Sequence, residues 1–371
     1  MVVLGVNVGW LGPFLPQISH AINESLDRTG LILTAIAVGY LVALPAGGEI
    51  GHRRGPHFLL FLALTLDALG FLGLAVAGGL AESMCAAIAI GFAQCGIDVA
   101  VNALVAELNR HRLAAALNYL HMMFGVGATL GPAIDGFAME YHISYGATFI
   151  AGAILTSSIA AAVWLAPRVE LPPSIAVKQT LRALLAHPLI WAIAAVLFLY
   201  VGAEVGVGAW LYTYLHRAAI PLSAGVASAA VSVYWAGLIG GRLLGGALAH
   251  RIPPRRLAII GSAISTIGLI ALMFTPAIAA FPIVALIGLG FGPAFPNMIA
   301  LGAERFPSRV ASMTSIVAGG GALGGAVLPW AMGVMLVASG RSVSIAVALA
   351  ATIAMLVILG SVDRIAANDS D

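Results

Sequence analysis

The sequence predicts an all-α membrane protein with twelve transmembrane helices in two six-helix repeats, from its composition, its long apolar segments and its internal repetition. Apolar residues make up 61% of the 371 residues and charged residues 9%, and the mean hydropathy is +1.04. A soluble globular domain carries about 25% charged residues. Too few charged side chains are present to cover a water-exposed surface, so the exterior is expected to face lipid.

Apolar segments of roughly 20 residues, the length that crosses a bilayer core of about 30 Å, recur between short polar breaks. The first follows Met1 without a charged leader or a cleavage site, which favours a transmembrane helix over a signal peptide. A tail normally precedes such a helix, so we expect the native N-terminus to be longer. The spans are predicted at 2–22, 30–48, 57–78, 81–106, 113–139, 144–166, 188–216, 222–248, 257–275, 277–303, 308–336 and 340–361.

The loops between successive spans lie alternately on the two sides of the membrane, and most positive charges fall on one of these sides. With the N-terminus of the first helix inside, Arg28, Arg217 and Arg341 are outside and all other Lys and Arg side chains are cytoplasmic. Cytoplasmic loops of membrane proteins are enriched in Lys and Arg. We therefore expect a multi-pass inner-membrane protein with both termini in the cytoplasm.

The longest polar stretch, residues 168–187, is predicted to be a cytoplasmic linker between two halves. Its Pro172-Pro173 pair interrupts any continuous helix. The predicted halves are then residues 1–167 and 188–371.

Two short motifs recur in both halves. GEIGHRRGP at Gly48–Pro56 is echoed by GALAHRIPP at Gly246–Pro254, and GATLGP at Gly127–Pro132 is echoed by GALGGAVLP at Gly321–Pro329. Both echoes lie about 200 residues apart, which indicates duplication of a six-helix unit. The glycine run at Gly319–Gly325 is interpreted as a helix-packing surface.

The loop predicted after the second span, Gly48–Gly55, resembles the G-x-L-a-D-R-x-G loop of the major facilitator superfamily, with His52 in the place of the family's Asp. Gly241-Arg242 and His250-Arg251 occupy the equivalent region of the second half. The resemblance implies gating roles for Gly48, Arg53, Arg242 and Arg251.

Three further stretches are similar to the fucose/glucose/galactose:proton symporter family within that superfamily. They are LFLYVGAEVGVGAWLYTYL at Leu197–Leu215, GIDVAVN at Gly96–Asn102 and LNYLHMMFGVG at Leu117–Gly127. The resemblance implies a monomeric, proton-coupled sugar carrier that works by alternating access around a central cavity. Fucose-transporting members have an acidic residue in the first helix where this chain has Gly12. Of the acidic residues that the resemblance implies, this chain therefore has only the fourth-helix carboxylate, Asp98.

Asp98 and Glu204 are the predicted proton-coupling residues. An acid within the bilayer is costly to ionise, so such residues usually line a polar cavity, pair with a cation or bind a proton. Asp98 shares one helical face with Gln94 and Asn102, and Glu204 follows Tyr200 by four residues on a glycine-rich helix. A purely structural hydrogen bond is the alternative for each acid.

The predicted substrate-binding side chains can hydrogen bond to sugar hydroxyls or stack on sugar rings. A buried structural histidine and ordinary interface aromatics are the alternatives. Asp67 and Asp135 also fall within spans, but neither has a polar companion at helical spacing, and their roles stay open. The substrate-binding set is Gln94, Asn102, Asn118, His121, Trp210, Tyr234, Trp235 and Asn297.

Other classes of function lack their motifs. No HExxH, G-x-S-x-G or G-x-x-x-x-G-K-[ST] sequence occurs, so neither an intramembrane enzyme nor direct ATP drive is expected, and no cofactor or metal is predicted. The charges form no basic patch for nucleic acid. The expected partners are a small sugar-like solute, protons and the lipid bilayer; efflux of a drug-like or lipidic solute and a non-transporting sensor are the alternatives.

Overall fold

The computed structural model describes residues 1–108, 113–167, 184–306 and 310–368. Within these ranges the chain is helical apart from short connections, and no β-strand occurs. The helices are α1 (Val2–Ala21), α2 (Leu26–Thr29), α3 (Leu31–Arg54), α4 (Pro56–Val76), α5 (Leu80–Leu108), α6 (Leu113–Glu140), α7 (Tyr145–Leu165), α8 (Pro188–His216), α9 (Ala224–Leu248), α10 (Pro254–Phe274), α11 (Phe281–Phe291), α12 (Ala294–Arg305), α13 (Val310–Ser339) and α14 (Arg341–Asn368).

Twelve segments of the described ranges are long and apolar enough to cross a membrane. This number confirms the predicted count of spans, and the helical composition confirms the predicted fold class. The agreement has a simple cause. Backbone N–H and C=O groups must be paired within the protein inside a bilayer, so each apolar stretch of about 20 residues has to form a helix.

Several helices begin at residues whose chemistry favours a helix start. Pro56, Pro188 and Pro254 occupy the first turn of α4, α8 and α10, where the missing N–H has no helical partner to lose. Ser144 caps α7, because its hydroxyl accepts a 3.2 Å hydrogen bond from the N–H of Ala147. These signals explain why the predicted starts lie close to the observed ones.

The segment Gly48–Gly55, predicted to be a loop, is mostly helical. α3 continues to Arg54, and the chain turns at Gly55, whose φ of 84° lies in the left-handed region that favours glycine. Glu49 and Arg53, four residues apart in this last part of the helix, form an ion pair that supports the helix locally. The connection between the second and third spans is therefore a single residue.

The tenth span differs from the continuous helix predicted at 277–303. A short 3-10 turn at Ala277–Ala279 is followed by α11 and α12, which are separated at Gly292-Pro293. Pro293 has no N–H, and its ring obstructs the carbonyl four residues earlier, so the helical hydrogen-bond pattern stops there.

The described residues form two compact units. The first covers Met1–Ala176 and Ala224–Ser232, so it includes the first turns of α9, and the second covers Val177–Ser223 and Val233–Asp371. Residues 168–183 of the predicted linker lie outside the described residues, so the predicted linker stays a prediction.

The first unit is built by packing α1 on α6, α3 on α5, and α4 on both α5 and α7. Its core contains an aromatic cluster in which Trp10 and Phe149 both contact Phe71 at ring separations of 5.4 Å. Phe14 packs edge-on against Phe149 at 5.7 Å. These large rings fix α1, α4 and α7 side by side.

The second unit is built around α8, which packs on α13 and α14, while α10 packs on α11 and α14. The glycine run Gly319–Gly325 lies at the contact of α13 with α8. A Cβ added at Gly320 would lie 2.7 Å from the carbonyl oxygen of Ala194, and one added at Gly324 would overlap the carbonyl oxygen of Phe198. The interpretation of this run as a packing surface is confirmed.

Candidate functional site

Asp98 lies on α5 at the centre of a small polar cluster in the first unit. Its Oδ2 accepts a 2.9 Å hydrogen bond from the hydroxyl of Tyr40 on α3. Its Oδ1 accepts a 2.7 Å hydrogen bond from Nδ2 of Asn102, one turn along the same helix. Asn102 also donates to the main-chain oxygen of Asp98 at 2.8 Å, which holds the amide against the carboxylate.

The carboxylate of Asp98 is balanced by dipoles and not by a cationic side chain. Among the described residues no Lys or Arg forms an ion pair with it. Asp98, Asn102 and Gln94 are all half-buried, so the polar face predicted from their spacing is only partly covered by other parts of the protein.

Glu204 is the centre of a second cluster, in the second unit. Its side chain is buried, and its Oε1 lies 3.6 Å from Nη2 of Arg242 on α9. Tyr234, two turns before Arg242, donates a 2.8 Å hydrogen bond from its hydroxyl to the main-chain oxygen of Glu204. α8 and α9 are therefore joined by a hydrogen bond from a side-chain hydroxyl to a main-chain oxygen and by an ion pair.

Tyr200 and Tyr234 lie close to this ion pair. Tyr200 is fully buried and contacts Phe291 at a ring separation of 5.9 Å, and Tyr234 contacts the same ring at 6.4 Å. Trp235 packs edge-on against Tyr234 at 5.2 Å. Glu204 is buried while the Arg242 side chain is 24% exposed, so water screens this pair less than a pair on the surface.

Four of the predicted substrate-binding residues are buried against protein in this conformation. The indole of Trp210 donates a 2.7 Å hydrogen bond to the carbonyl oxygen of Pro329, and Nδ2 of Asn297 donates to that of Pro293 at 2.6 Å. Tyr234 and Trp235 expose at most 1% of their surface. Substrate contact at these residues stays a prediction that requires a change of conformation.

The remaining predicted binding residues lie on α6 and α5. His121 is exposed on α6, while the side chain of Asn118 on the same helix lies outside the described residues. Gln94 and Asn102 share the Asp98 face. The structure therefore brings Gln94, Asp98 and Asn102 together on one face of a single helix.

The predicted gating residues have different surroundings. A Cβ added at Gly48 would meet no atom of the described residues within 4 Å. Arg53 pairs with Glu49 in the exposed last turns of α3, and Nε of Arg251 donates to Nε2 of His250 at 3.0 Å. Their gating roles, and that of Arg242, stay predictions.

Three partners of the candidate acids were not predicted from the sequence. Tyr40 contacts Asp98 from 58 positions away in the sequence. Arg242 pairs with Glu204 from another helix. Asn7 donates a hydrogen bond to Asp67 from 60 positions away. The spacing of residues along one helix cannot identify contacts between different helices. The only sequence signal for these partners is that polar side chains are rare within membrane spans.

The profile of the Major Facilitator Superfamily matches residues 1–329 and, in a second alignment, residues 222–368. The chain belongs to this superfamily. As a superfamily member with twelve apolar helices it is a multi-pass membrane transporter. The narrower fucose/glucose/galactose:proton symporter family is not confirmed by these comparisons.

One relative of this chain is named as an exporter, and another is named as a putative multidrug resistance protein. The enterobactin exporter EntS of Salmonella typhimurium is 27% identical over 303 residues, which cover 72% of this chain and 67% of the relative. A protein of Cronobacter sakazakii named for multidrug resistance, MdtD, is 28% identical over 155 residues, 41% of this chain. The aligned part spans 33% of the length of that relative.

Solved structures of two superfamily transporters have the same fold. A nucleoside transporter, NupG, superposes with a TM-score of 0.81 at 11% identity, covering 98% of this chain and 97% of that chain. A D-xylose-proton symporter superposes with a TM-score of 0.80 at 15% identity, covering 96% and 94%. At these identities the similarity establishes the fold alone.

Proposed function

We propose that this superfamily member is a proton-coupled carrier of a small polar, sugar-like solute, working by alternating access, with Asp98 as the coupling residue. The observation that carries the proposal is the setting of Asp98. Its two oxygens accept hydrogen bonds from Tyr40 and Asn102, and it pairs with no Lys or Arg among the described residues.

This setting suits reversible protonation. Tyr40 and Asn102 are neutral donors to the two carboxylate oxygens. No Lys or Arg side chain of the described residues pairs with Asp98, so proton binding would break no side-chain ion pair.

A polar solute is favoured by the side chains beside Asp98. Gln94 and Asn102 each offer an amide donor and acceptor, the groups that pair with hydroxyls. Both are half-buried next to the coupling acid. A solute bound there would contact the same carboxylate that binds the proton, which is the simplest way to link the two binding events.

Glu204 is proposed to take part through Arg242. The two side chains lie 3.6 Å apart, and the Glu204 side chain is buried. Breaking a pair in such surroundings leaves an uncompensated charge, so the pair is expected to separate only together with solute or proton binding. The second unit thereby gains a charged element that responds to the state of the transport cycle.

The test is uptake of a panel of radiolabelled sugars and nucleosides into proteoliposomes, with and without an imposed pH gradient. The proposal expects accumulation of at least one hydroxyl-rich solute that collapses when a protonophore removes the gradient. Exchange of such a solute without any effect of the gradient would argue for a uniporter. No flux of any hydroxyl-rich solute would contradict the proposed solute class.

Proton-driven efflux is the second candidate, because the named relatives EntS and MdtD are exporters or named for resistance. Under this alternative Asp98 would couple inward proton flow to outward movement of a larger amphipathic solute. Measuring transport in vesicles of both orientations separates the candidates. Accumulation driven by entry of protons in the same direction favours uptake, and accumulation against proton flow favours efflux.

A further inference from the structure

Asp135 is a buried acid that the proposed coupling scheme does not use. It lies on α6, five residues before the helix ends at Glu140, and none of its surface is exposed. Both carboxyl oxygens are buried without a hydrogen-bond partner among the described residues. Asp67, the other fully buried acid of the first unit, differs in accepting a hydrogen bond from Asn7.

The helices around Asp135 provide no counter-ion. α1 carries one titratable side chain, His20 at its exposed end, and α7 carries Tyr145. The first turns of α9, Ala224–Ser232, carry none. The remaining titratable groups of α5 and of α6 whose side chains are described, none of which hydrogen bonds to Asp135, are Glu82, Cys85, Cys95, Asp98, Tyr119, His121 and Glu140.

An isolated carboxylate in such a place is not stable as an ion. Transferring an unpaired charge from water to a medium of low dielectric constant costs so much that the group takes up a proton instead. Inside a membrane protein no bulk water relieves this cost. The packed arrangement around Asp135 therefore corresponds to the protonated acid.

The packing beside Asp135 joins α6 to the start of α9. The hydroxyl of Ser228 donates a 2.6 Å hydrogen bond to the carbonyl oxygen of Pro132, three residues before Asp135. An added Cβ at Gly136 would lie 3.1 Å from Cβ of Ser228 and 3.3 Å from the carbonyl oxygen of Gly225. Pro132 and Gly136, which lie before and after Asp135 on α6, are therefore in direct contact with the first turns of α9.

We propose that Asp135 is a proton-binding site whose occupancy controls the packing of α6 against the first turns of α9. The protonated acid fits the closed packing, and the ionised acid is stable only when the helices separate and water reaches it. Proton binding therefore shifts the population towards the packed form. Five residues, about 7.5 Å of helix, separate Asp135 from the helix end, which gives the proton a short route.

The proposal adds a second protonation site to the proposed transport cycle, and its test needs neither solute nor gradient. Spin labels are attached to cysteines replacing Phe137 and Ala229, two exposed positions of the first unit. The native Cys85 and Cys95 are replaced by Ala in this background. The distance between the labels is measured by double electron–electron resonance in lipid nanodiscs from acidic to alkaline pH.

We expect the wild-type background to show one short distance at acidic pH and an additional longer distance at alkaline pH. Asp135→Asn, which has nearly the shape of the protonated acid, should lose this pH-dependent shift and keep the short distance throughout. Asp135→Glu should restore the shift. Glu140→Gln, the matched control, removes an exposed acid from the same helix near Gly225 and should behave as the wild type.

A wild-type distance that does not change with pH would overturn the proposal. So would an unaltered pH response in Asp135→Asn, or a response lost equally in Glu140→Gln. Because no solute is present, these outcomes are independent of the Asp98 experiments. Either proposal can fail while the other stands.

Discussion

The amide of Asn7 donates a 2.8 Å hydrogen bond to Oδ1 of Asp67 and so connects α1 to α4 inside the first unit. Asn7 is 2% exposed and Asp67 is not exposed at all. Oδ2 of Asp67 has no hydrogen-bond partner among the described residues. Among the described residues, Asn7 is therefore the one side chain that donates a hydrogen bond to this buried acid.

Replacing Asn7 by Leu should destabilise the protein by about 1–3 kcal/mol, the usual penalty for leaving a buried polar group without its partner. The measurement is thermal or denaturant unfolding in detergent. Asn7→Leu combined with Asp67→Leu removes both partners and should recover most of the lost stability. Equal stability of the single variant and the wild type would show that the hydrogen bond contributes nothing.

Replacing Asp98 by Asn should preserve solute exchange while abolishing accumulation driven by a pH gradient, because the amide resembles the protonated acid but cannot release a proton. Both activities can be measured in one proteoliposome preparation. Glu82→Gln is the matched control, since it neutralises an exposed acid near the start of the same helix. Gradient-driven accumulation by Asp98→Asn would move the coupling role to Glu204 or indicate uniport.

Replacing Glu204 by Gln should reduce transport and destabilise the protein, because Arg242 loses its charged partner 3.6 Å away. Losing one member of a fully buried pair costs about 3–5 kcal/mol. The Arg242 side chain is 24% exposed, so a smaller loss is expected here. Adding Arg242→Gln should restore stability without restoring transport, and wild-type flux in Glu204→Gln would exclude an essential role.

Replacing Gly48 by Leu should leave the fold intact but slow the transport cycle. A Cβ added at Gly48 would meet no atom of the described residues within 4 Å, so we expect the effect to arise where helices approach each other in another state. Gly39→Leu on the same helix is the contrasting variant, because its Cβ would overlap the carbonyl oxygen of Ile88. It should lower the unfolding temperature.

Equilibrium solute binding distinguishes a gating effect at Gly48 from damage to the binding site. Slow exchange with unchanged affinity supports gating. A parallel loss of affinity in Gly48→Leu would place its effect on the binding site.

The twelve spans were predictable from the sequence because the bilayer imposes both a length and a composition on each helix. The break at Gly292-Pro293 was not predictable from the sequence, because other prolines lie inside helices that continue past them. These are Pro13, Pro45, Pro132 and Pro329. A membrane helix can contain proline because neighbouring helices and small changes of backbone geometry pair the backbone groups that proline leaves free. Proline alone therefore does not mark a break in this chain.

The candidate site was predictable only where its members share a helix. The contact of Asn102 with Asp98 follows from their four-residue spacing. The contacts of Tyr40 with Asp98 and of Arg242 with Glu204 depend on which helices are neighbours, and no local pattern records that. The burial of Trp210 and Asn297 likewise depends on packing that the amphipathic pattern of one helix does not reveal.

The break in the tenth span also bears on how the chain enters the membrane. Pro293 cannot donate to the carbonyl of Leu289, and that oxygen lies against Gly241 of α9, where any Cβ would overlap it. A lone α11–α12 segment leaving the insertion machinery would turn this unpaired carbonyl towards lipid, which costs several kcal/mol. The tenth span should therefore partition poorly by itself and be retained at the translocon until the eighth is beside it. We therefore expect this half to assemble cooperatively, with the tenth span inserting more readily once the eighth is beside it.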